Sequence, residues 1–427
     1  MKFLKNVFFL AQVSCDIICE TSRYYLFGDL NTCIERLSNK LSQKNILYIK
    51  IFQACALNNN IFPDEINNKL IKFTDNAPWT EADIDMDTLC RFETLNNMQI
   101  ENKDVPLKSG MISLIYKARD ENNQEVILKM KRKNIEAKLE EGIAQLLFFL
   151  KVVDWLPFIN NYDLPSIIQK NIDLIRHQTD FAQEVKNIQK FTTMCEKLKF
   201  VQIPKVYTAV TQDFPNIIMM EYMKGQSIYQ VEKADYELYA KQFLKFAFIT
   251  MFSTGTTHGD LHVGNILFLK EDTADGVTHK ICILDFGIVY ELGESRHAIF
   301  DVFTDMCSTP TDVIANKMLF SGLIEPVDTI KSLSPEEVAP MLKIIDIFLN
   351  DTIHVNKRLH PVHICKFLTD LNAYVNQAKI KTLKLRASAD LVKFQVIFGM
   401  LHGVLLTLCG TDYIELADKV MKETFHL

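Results

Sequence analysis

One segment, HGDLHVGNILF at residues 258–268, places an Asp and an Asn five positions apart ahead of a short apolar run. A carboxylate such as Asp260 can orient an attacking hydroxyl or accept its proton, and the amide oxygen of Asn265 is a ligand that Mg²⁺ prefers. This spacing is typical of loops that catalyse phosphoryl transfer. We therefore predict Asp260 as a catalytic carboxylate and Asn265 as a metal ligand.

A second metal-binding carboxylate is predicted downstream of this loop. Asp285 follows the apolar run Ile281–Leu284, precedes a Phe and a Gly, and lies twenty residues beyond Asn265. An Asp-Phe-Gly at the end of a strand holds the metal that bridges nucleotide phosphates in protein kinases, and the glycine permits the turn that follows. The tripeptide alone occurs by chance in many turns, so its position after the catalytic loop is what makes it informative.

Upstream of the loop, residues 111–129 are typical of a β-hairpin. Met111–Ala118 alternates as a strand would, Asp120–Asn123 is a turn signal, and Val126–Leu128 begins a second strand. That strand is predicted to end on Lys129, a compact cation that would reach nucleotide phosphates. A lysine followed by further basic residues is by itself more typical of a solvated charge run, so the assignment of Lys129 depends on its neighbours.

Other residues would complete a nucleotide site around Lys129. We expect Ser109 and Gly110, in the turn before the hairpin, to lie over the phosphates. Glu184, within a helical pattern, is the best partner to orient Lys129. Residues 219–225 fit a linker whose backbone would hydrogen-bond the adenine, with Glu221 and Met223 as its contributors. Because these segments occur in one order at workable separations, together they indicate a nucleotide-binding fold of the protein-kinase type.

The chain is longer than one hydrophobic core usually allows, since 427 residues exceed the roughly 250–300 at which cores stop growing. We predict an α+β, bilobal protein-kinase-like fold with a helical N-terminal extension and a mostly helical C-lobe. The extension is assigned to residues 1–104, the N-lobe with a helical insert to 105–225, and the C-lobe to 226–427. Residues 201–210 and 216–222 are predicted as strands, and the chain after residue 287 as helical throughout.

Two further segments carry a family resemblance. Lys50 and Gln53, read alone, are a solvated polar edge of a helix. The surrounding residues 46–53, with 62–65 after them, nevertheless look like the Lys-x-Gly-Gln signature of the UbiB-type atypical kinase family, a group associated with coenzyme Q biosynthesis. Residues 178–181 look like that family's Glu-x-Asp motif, upstream of the lysine-pairing glutamate. The resemblance implies that Lys50 and Gln53 are nucleotide-site residues.

The chain departs from the family pattern at four places. Phe52 stands where the family has Gly, and Gln178 where it has Glu, which removes a negative charge. Val263 replaces the usual Pro of the catalytic loop. Gly110 lies where the family has an alanine-rich run, and glycine lets a backbone approach phosphates more closely. Our hypothesis is that Gly110 shifts nucleotide handling toward that of an ordinary glycine-rich loop.

The resemblance implies an ATP-binding, Mg²⁺-dependent atypical kinase or ATPase that supports isoprenoid quinone or lipid metabolism. Its implied partners are a lipid or quinone precursor, a membrane surface and proteins of such a pathway. Two other interpretations stay open. A small-molecule phosphotransferase of the aminoglycoside or choline kinase type is one, although the helical segment before residue 100 and the pair of Lys50 with Gln53 count against it. A non-catalytic nucleotide-sensing scaffold is the other. Phe52 and Gln178 favour it, and it is opposed by the intact Lys129, Asp260, Asn265 and Asp285.

The composition of the chain limits the kinds of partner and the cellular compartments that we expect. The 47 Lys and Arg residues against 53 Asp and Glu residues give a net charge of -6, which argues against a nucleic-acid partner. The ten cysteines form no CxxC pair, so we expect reduced thiols in an intracellular protein, cytoplasmic or mitochondrial and membrane-associated. No uninterrupted apolar run is long enough to indicate a transmembrane segment. The first residues resemble a signal peptide superficially, but they fit an amphipathic helix that packs on the body better than a targeting or membrane-surface segment.

Overall fold

The computed structural model describes residues 2–49, 77–153, 172, 175–274, 276–304, 306–358, 361–378, 380, 383–410 and 412–427. Lys50, Phe52, Gln53 and residues 62–65, which the family resemblance singles out, lie outside the described residues. The chain divides into two compact units. Unit 1 comprises Met1–Lys190 and Pro204–Met223, and unit 2 comprises Phe191–Ile203 and Lys224–Leu427. The three-part division made from the sequence stays a prediction.

The described α-helices are, in chain order, α1 (Lys2–Phe27), α2 (Leu30–Lys44), α3 (Met86–Leu95), α4 (Ile135–Val153), α5 (Phe181–Cys195), α6 (Thr208–Asp213), α7 (Tyr236–Phe248), α8 (Ser295–Thr304), α9 (Thr311–Phe320), α10 (Val327–Lys331), α11 (Pro335–Asn350), α12 (Pro361–Gln377), α13 (Ala389–Cys409) and α14 (Ile414–Phe425). The described strands are β1 (Gln99–Ile100), β2 (Lys108–Ser109), β3 (Ser113–Arg119), β4 (Glu125–Lys131), β5 (Val201–Gln202), β6 (Ile217–Glu221), β7 (Thr256–His258), β8 (Ile266–Thr273), β9 (Gly276–Ile283), β10 (Val289–Glu291), β11 (Ile324–Glu325) and β12 (Arg386–Ala387).

The sheet of unit 1 is antiparallel, with strand order β1-β3-β4-β6 and β2 paired to β3. β3 and β4 form the predicted hairpin, with Ile115 opposite Lys129. Successive side chains of a strand point to opposite faces. Val126, Leu128 and Met130 of β4 belong to the apolar core of the unit, so Lys129 points away from that core.

The two N-terminal helices of unit 1 pack on each other through a small apolar cluster. Phe9 and Val13 of α1 meet Leu41 of α2 in this cluster. The carboxylate of Glu20 on α1 accepts a hydrogen bond from Lys40 of α2 at 2.7 Å. α1 is therefore the amphipathic helix that the sequence predicts, and it continues without a break from Lys2 to Phe27.

Unit 2 has a small sheet beside its helices. β8 and β9 form a hairpin that pairs from Ile266 opposite Ile283 to Thr273 opposite Gly276, and β5 lies parallel to β9. A separate antiparallel pair, β7 with β10, places Val289 opposite His258. This second pair carries the start of the predicted catalytic loop.

Helix α13 forms part of the apolar interior of unit 2. Phe394 stacks on Phe252 with ring centroids 6.0 Å apart, and Phe398 stacks on Phe303 at 4.9 Å. Among the described helices, α13 is one that is long and apolar enough to cross a bilayer by length and composition, and half of its most apolar window is buried inside the chain. The ring of His402, the histidine of α13, is buried and hydrogen-bonds the hydroxyl of Tyr413 at 2.6 Å. This hydrogen bond gives the polar ring a partner within the apolar interior.

Three secondary-structure predictions need correction. Residues 201–210 are not one strand, because only β5 at its start is extended and α6 begins at Thr208. Pro204 has no N–H to donate to a ladder, which ends the strand early. The chain after residue 287 is not helical throughout, since β10, β11 and β12 lie there. These strands have two or three residues each and pair with distant segments, so they leave no local periodicity to detect. β4 also continues two residues past Lys129.

Candidate active site

Lys129 and Glu184 form a buried ion pair within unit 1. The Lys129 Nζ lies 2.5 Å from the Glu184 Oε1, and the two side chains are 8% and 1% exposed. Phe181 lies beside them, with its ring centroid 5.8 Å from the same Nζ. Removing one partner from such a pair costs about 3–5 kcal/mol because a charge is left buried. The Glu184 carboxylate and the Phe181 ring therefore hold the ammonium group of Lys129 in one place.

The position of Glu184 follows from how α5 begins. Asp180 accepts a hydrogen bond on its Oδ1 from the backbone N–H of Gln183 at 3.0 Å, as an N-cap does. Its carbonyl accepts another from the N–H of Glu184 at 3.0 Å. Glu184 thus lies in the first helical turn, where the helix dipole favours a negative charge. Asp180 is a positioning residue whose role the sequence analysis did not assign, although an Asp three residues before a Gln is a helix-start signal.

The turn before the hairpin is held by backbone contacts. The hydroxyl of Ser109 donates to the carbonyl of Ala77, and the Ala77 N–H donates back to the Ser109 carbonyl at 2.7 Å. Ser109 is 2% exposed. The N–H of Gly110 donates to the Ser113 carbonyl at 2.8 Å. Ser109 thus anchors the turn, and the nucleotide contacts predicted for Ser109 and Gly110 stay predictions.

Arg132 fixes the other side of this turn. Its Nε and Nη2 donate to the carbonyl of Gly110 at 3.0 and 2.7 Å, and its Nη1 donates to the Pro78 carbonyl at 2.9 Å. Asp83 neutralises it at 3.2 Å and also receives Lys138 at 2.6 Å. Burial lowers the pKa of Arg132. The basic run after Lys129 is therefore not simply a solvated surface, because Arg132 is 4% exposed and organises the turn.

His258 connects the predicted catalytic loop to the segment of Asp285 within unit 2. Its Nδ1 accepts a hydrogen bond from the Asp260 N–H at 3.0 Å, so the proton of the ring lies on Nε2, which donates to the Asp285 carbonyl. Burial lowers the pKa of His258, and the neutral ring satisfies both contacts. From the sequence, no separate role was predicted for His258, and its position directly before Gly-Asp was the available signal.

The predicted metal ligands are oriented by backbone groups of the same unit. The Nδ2 of Asn265 donates to the Asp260 carbonyl at 2.9 Å, which directs its amide oxygen away from that contact. The N–H of Leu284 donates to the Asn265 carbonyl at 3.0 Å. The Oδ1 of Asp285 accepts the N–H of Gly287 at 2.9 Å. An amide oxygen and a carboxylate are the hard ligands that Mg²⁺ takes when phosphates supply the rest, so this donor set fits the ion.

Gly259 lies where a side chain has no room. A Cβ at this position would meet the Cγ2 of Ile288 at 2.5 Å and the ring of Tyr290 at 2.7 Å. The Gly259 N–H donates to the Ile288 carbonyl at 2.9 Å, which keeps the two segments in contact. Close approach of β10 to the loop therefore explains the glycine between His258 and Asp260.

The other residues predicted from the sequence, Glu221, Met223 and Gln178, lie apart from the contacts described above. Glu221 ends β6, and its carboxylate accepts the Lys205 N–H at 3.3 Å. The chain passes from unit 1 to unit 2 after Met223. The Oε1 of Gln178 is buried without a hydrogen-bond partner among the described residues. The adenine contacts expected of Glu221 and Met223 stay predictions, as do the roles of Lys50 and Gln53.

Comparison with known proteins gives a family match. The ABC1 atypical kinase-like domain matches residues 93–318, more than half of the 427-residue chain. The probable protein kinase UbiB of Blochmanniella pennsylvanica is 24% identical over 354 residues, which cover 77% of this chain and 63% of the relative. The AarF domain-containing protein kinase 1 of Gallus gallus is 23% identical over 270 residues, covering 61% and 50%. The chain spans about half the length of most curated relatives it matches.

A solved structure shows a similar fold. The complex of Rv3197 with erythromycin from Mycobacterium tuberculosis matches with a TM-score of 0.52 and 18% identity, covering 87% of this chain and 90% of that one. This similarity, the family match and the antiparallel sheet of unit 1 confirm the predicted α+β, bilobal kinase-like fold. The family resemblance stated from the sequence is likewise confirmed.

Proposed function

The chain belongs to the ABC1 atypical kinase-like family, which includes its UbiB-type relatives, and from that premise we propose that it is an ATP-binding, Mg²⁺-dependent atypical kinase or ATPase. The observation that carries the proposal is the buried pair of Lys129 with Glu184. Burying two charges costs several kcal/mol each in desolvation, so such a pair contributes little to stability. A fixed ammonium group is what a phosphate-binding lysine requires.

Each residue has a role in the proposed reaction. Lys129 binds the nucleotide phosphates, and Glu184 keeps its ammonium group oriented. Asp260 orients the acceptor hydroxyl, or a water molecule, and accepts its proton. Asn265 and Asp285 would hold the metal ion, which when bound neutralises charge on the phosphates. The neutral ring of His258 keeps the Asp260 backbone and the Asp285 backbone in fixed positions.

The test is hydrolysis of labelled ATP by the wild type and by Asp260→Asn. The substitution keeps the shape of the side chain but removes its basicity, so we expect a loss of about 10²-fold or more. Asp301→Asn, at an exposed position of α8, is the matched control and should keep wild-type activity. Full activity of Asp260→Asn would reject the catalytic role. Hydrolysis by neither protein, with nucleotide still bound, would favour the nucleotide-sensing scaffold.

The family match favours the atypical kinase over a small-molecule phosphotransferase of the aminoglycoside or choline kinase type. For the acceptor we propose a lipid or quinone precursor, with proteins of isoprenoid quinone or lipid metabolism as partners. We also propose that the protein acts inside the cell at a membrane surface. The support is the outer face of α1, where Leu4, Phe8, Ile18 and Tyr25 are between 64% and 81% exposed. Amphipathic helices with such faces lie in the membrane interface.

The charges of α1 agree with this proposal. Asp16 and Glu20 point toward α2, where Lys40 and Lys44 neutralise them. The membrane contact is tested by flotation of the full chain with vesicles that contain anionic lipid. Phe8→Ser with Ile18→Ser should weaken flotation, and Val313→Ser with Ile347→Ser, two exposed apolar positions of unit 2, should not. Equal flotation of both double variants would reject the α1 face as the contact.

A further inference from the structure

Unit 2 carries a shallow groove of about 820 Å³ to which three elements contribute: residues 199–200, helix α7 and the β8–β9 hairpin. We call it the basic groove and define it by Lys199, Phe200, Leu238, Lys245, Val277 and Lys280. Among the described residues, none of those predicted for catalysis or nucleotide binding lines it. It is therefore a surface that the proposed function leaves unused.

The lining of the basic groove is cationic. Lys280 is neutralised by Glu271, with Nζ and Oε2 2.6 Å apart. Lys199 and Lys245 have no carboxylate partner in the part of the chain that the structure describes, and the groove lining contains no Asp or Glu. The Nζ of Lys245 lies 5.5 Å from the centroid of the Phe200 ring, which keeps this cation beside the groove. The ammonium groups of Lys199 and Lys245 are thus available to pair with an anionic ligand.

The same groove offers apolar contacts at a defined distance from its cations. Leu238 is 41% exposed and Val277 is 51% exposed. Leu238 and Lys245 are seven residues apart on α7, which corresponds to two helical turns on one face and about 10 Å. An extended polypeptide covers that distance in about three residues. A ligand that meets both positions therefore carries an acidic and an apolar side chain about three residues apart.

We propose that the basic groove binds an acidic polypeptide segment in extended conformation, with a carboxylate about three residues from an apolar side chain. Such a segment can pair its carboxylate with Lys199 or Lys245 and pack its apolar side chain on Leu238 and Val277. A polynucleotide gains its affinity from many phosphate contacts, and two lysines supply few of them. The groove would act as a docking site separate from the catalytic residues.

The experiment measures fluorescence anisotropy of labelled ten-residue peptides with the full-length chain. The peptides carry a Glu-Glu pair followed by a Leu, with the second Glu two, three or four positions before the Leu, and a Lys-Lys version is the charge-reversed probe. We expect the three-residue spacing to bind most tightly and the Lys-Lys peptide not to bind. Raising the salt from about 50 to 200 mM should weaken binding, since the contacts are partly ionic.

Variants assign the binding to the groove. Lys199→Glu with Lys245→Glu should weaken binding of the best peptide by about tenfold or more, because two attractive contacts become repulsive. Lys331→Glu with Lys384→Glu changes the net charge equally at exposed positions outside the groove and should bind as the wild type does. Lys199→Gln with Lys245→Gln gives a milder loss and serves if the charge-reversed protein is unstable by thermal denaturation.

Several results would overturn the proposal. These are binding that is equal in the wild type and in both groove variants, binding of none of the acidic peptides, or equal binding of the Lys-Lys peptide. If Lys199→Gln with Lys245→Gln reduces binding of anionic vesicles or of single-stranded polynucleotide while peptide binding is unchanged, the groove serves that other partner. These binding measurements do not depend on ATP hydrolysis. A protein that hydrolyses no ATP would therefore contradict the proposed enzymatic function but not the proposed peptide binding by the groove.

Discussion

Glu184→Gln is the substitution that most directly tests the buried pair of unit 1. The change keeps the size of the side chain and removes the negative charge 2.5 Å from the Lys129 Nζ. Because these side chains are only 8% and 1% exposed, water cannot replace the lost carboxylate. We expect a loss of about 3–5 kcal/mol in the free energy of unfolding, a large fraction of the about 5–15 kcal/mol typical of a domain.

A double variant separates stability from function. Lys129→Met with Glu184→Leu replaces the pair by apolar side chains, an exchange that is often neutral or stabilising by about 1–4 kcal/mol when a buried ion pair is removed whole. The double variant should therefore be more stable than Glu184→Gln alone. It should nevertheless fail to bind and hydrolyse ATP, because the ammonium group for the phosphates is gone.

Thermal denaturation and binding of labelled ATP measure the two effects. For a unit of this size, a loss of 3–5 kcal/mol corresponds to a fall of about 10 °C in the melting temperature. Glu140→Gln, which breaks the exposed pair with Arg176, is the control and should cost less than about 1 kcal/mol. A Glu184→Gln protein as stable as this control would refute the burial argument, and ATP binding by the double variant would refute the phosphate role of Lys129.

Three further predictions concern single positions. Gly110→Ala should fold normally, since its Cβ would come no closer than 3.6 Å to the Ser113 carbonyl, yet change the affinities for ADP and ATP measured by calorimetry; unchanged affinities would reject our hypothesis for this glycine. Gly259→Ala should cost about 1–3 kcal/mol in urea denaturation, because the Cβ would overlap Ile288, and wild-type stability would contradict the packing described. Burial is the main reason that the pKa of His258 is lowered in the folded protein. As the pH falls, the unfolded chain therefore takes up this proton at a higher pH than the folded chain does. The stability linked to the neutral ring is thus present above about pH 6.5 and is lost as the pH falls below it. The stability difference between wild type and His258→Gln should shrink from pH 7 to pH 5, and a difference that stays constant over this range would contradict the buried neutral ring.

The sequence was sufficient for those parts of the fold that have a local signature. The β3–β4 hairpin has alternation and a turn signal, and α1 has amphipathic spacing, so both were predictable. The β7–β10 pair was not, because three-residue strands from distant segments leave no pattern in either segment. The early end of β5 depends on Pro204, a signal that was present but was outweighed by the apolar residues around it.

For the candidate site, residue types were predictable and environments were not. The pairing of Lys129 with Glu184 was expected from the motif order, and the structure brings the two together. Arg132 belonged to a run of basic residues, and no sequence pattern distinguishes a buried guanidinium from its solvated neighbours. Its burial depends on acceptors at Pro78 and Asp83, about fifty residues earlier in the chain. Long-range satisfaction of a buried donor of this kind is visible only in the folded structure.

The departures from the family pattern are easier to understand from how the site is held. Several of the candidate side chains are positioned by backbone groups of their own unit: Arg132 by the Gly110 carbonyl in unit 1, and His258 and Asn265 by the Asp285 and Asp260 carbonyls in unit 2. A backbone group is present whatever side chain follows it, so neighbouring residues can change without loss of these contacts. Val263 is a different case, because the short helical turn it begins is fixed by a side chain: the His262 ring accepts the N–H of Gly264 at 3.1 Å. Proline is then not required to shape the loop, and replacing the His262 acceptor should disturb it more than replacing Val263 by another apolar residue.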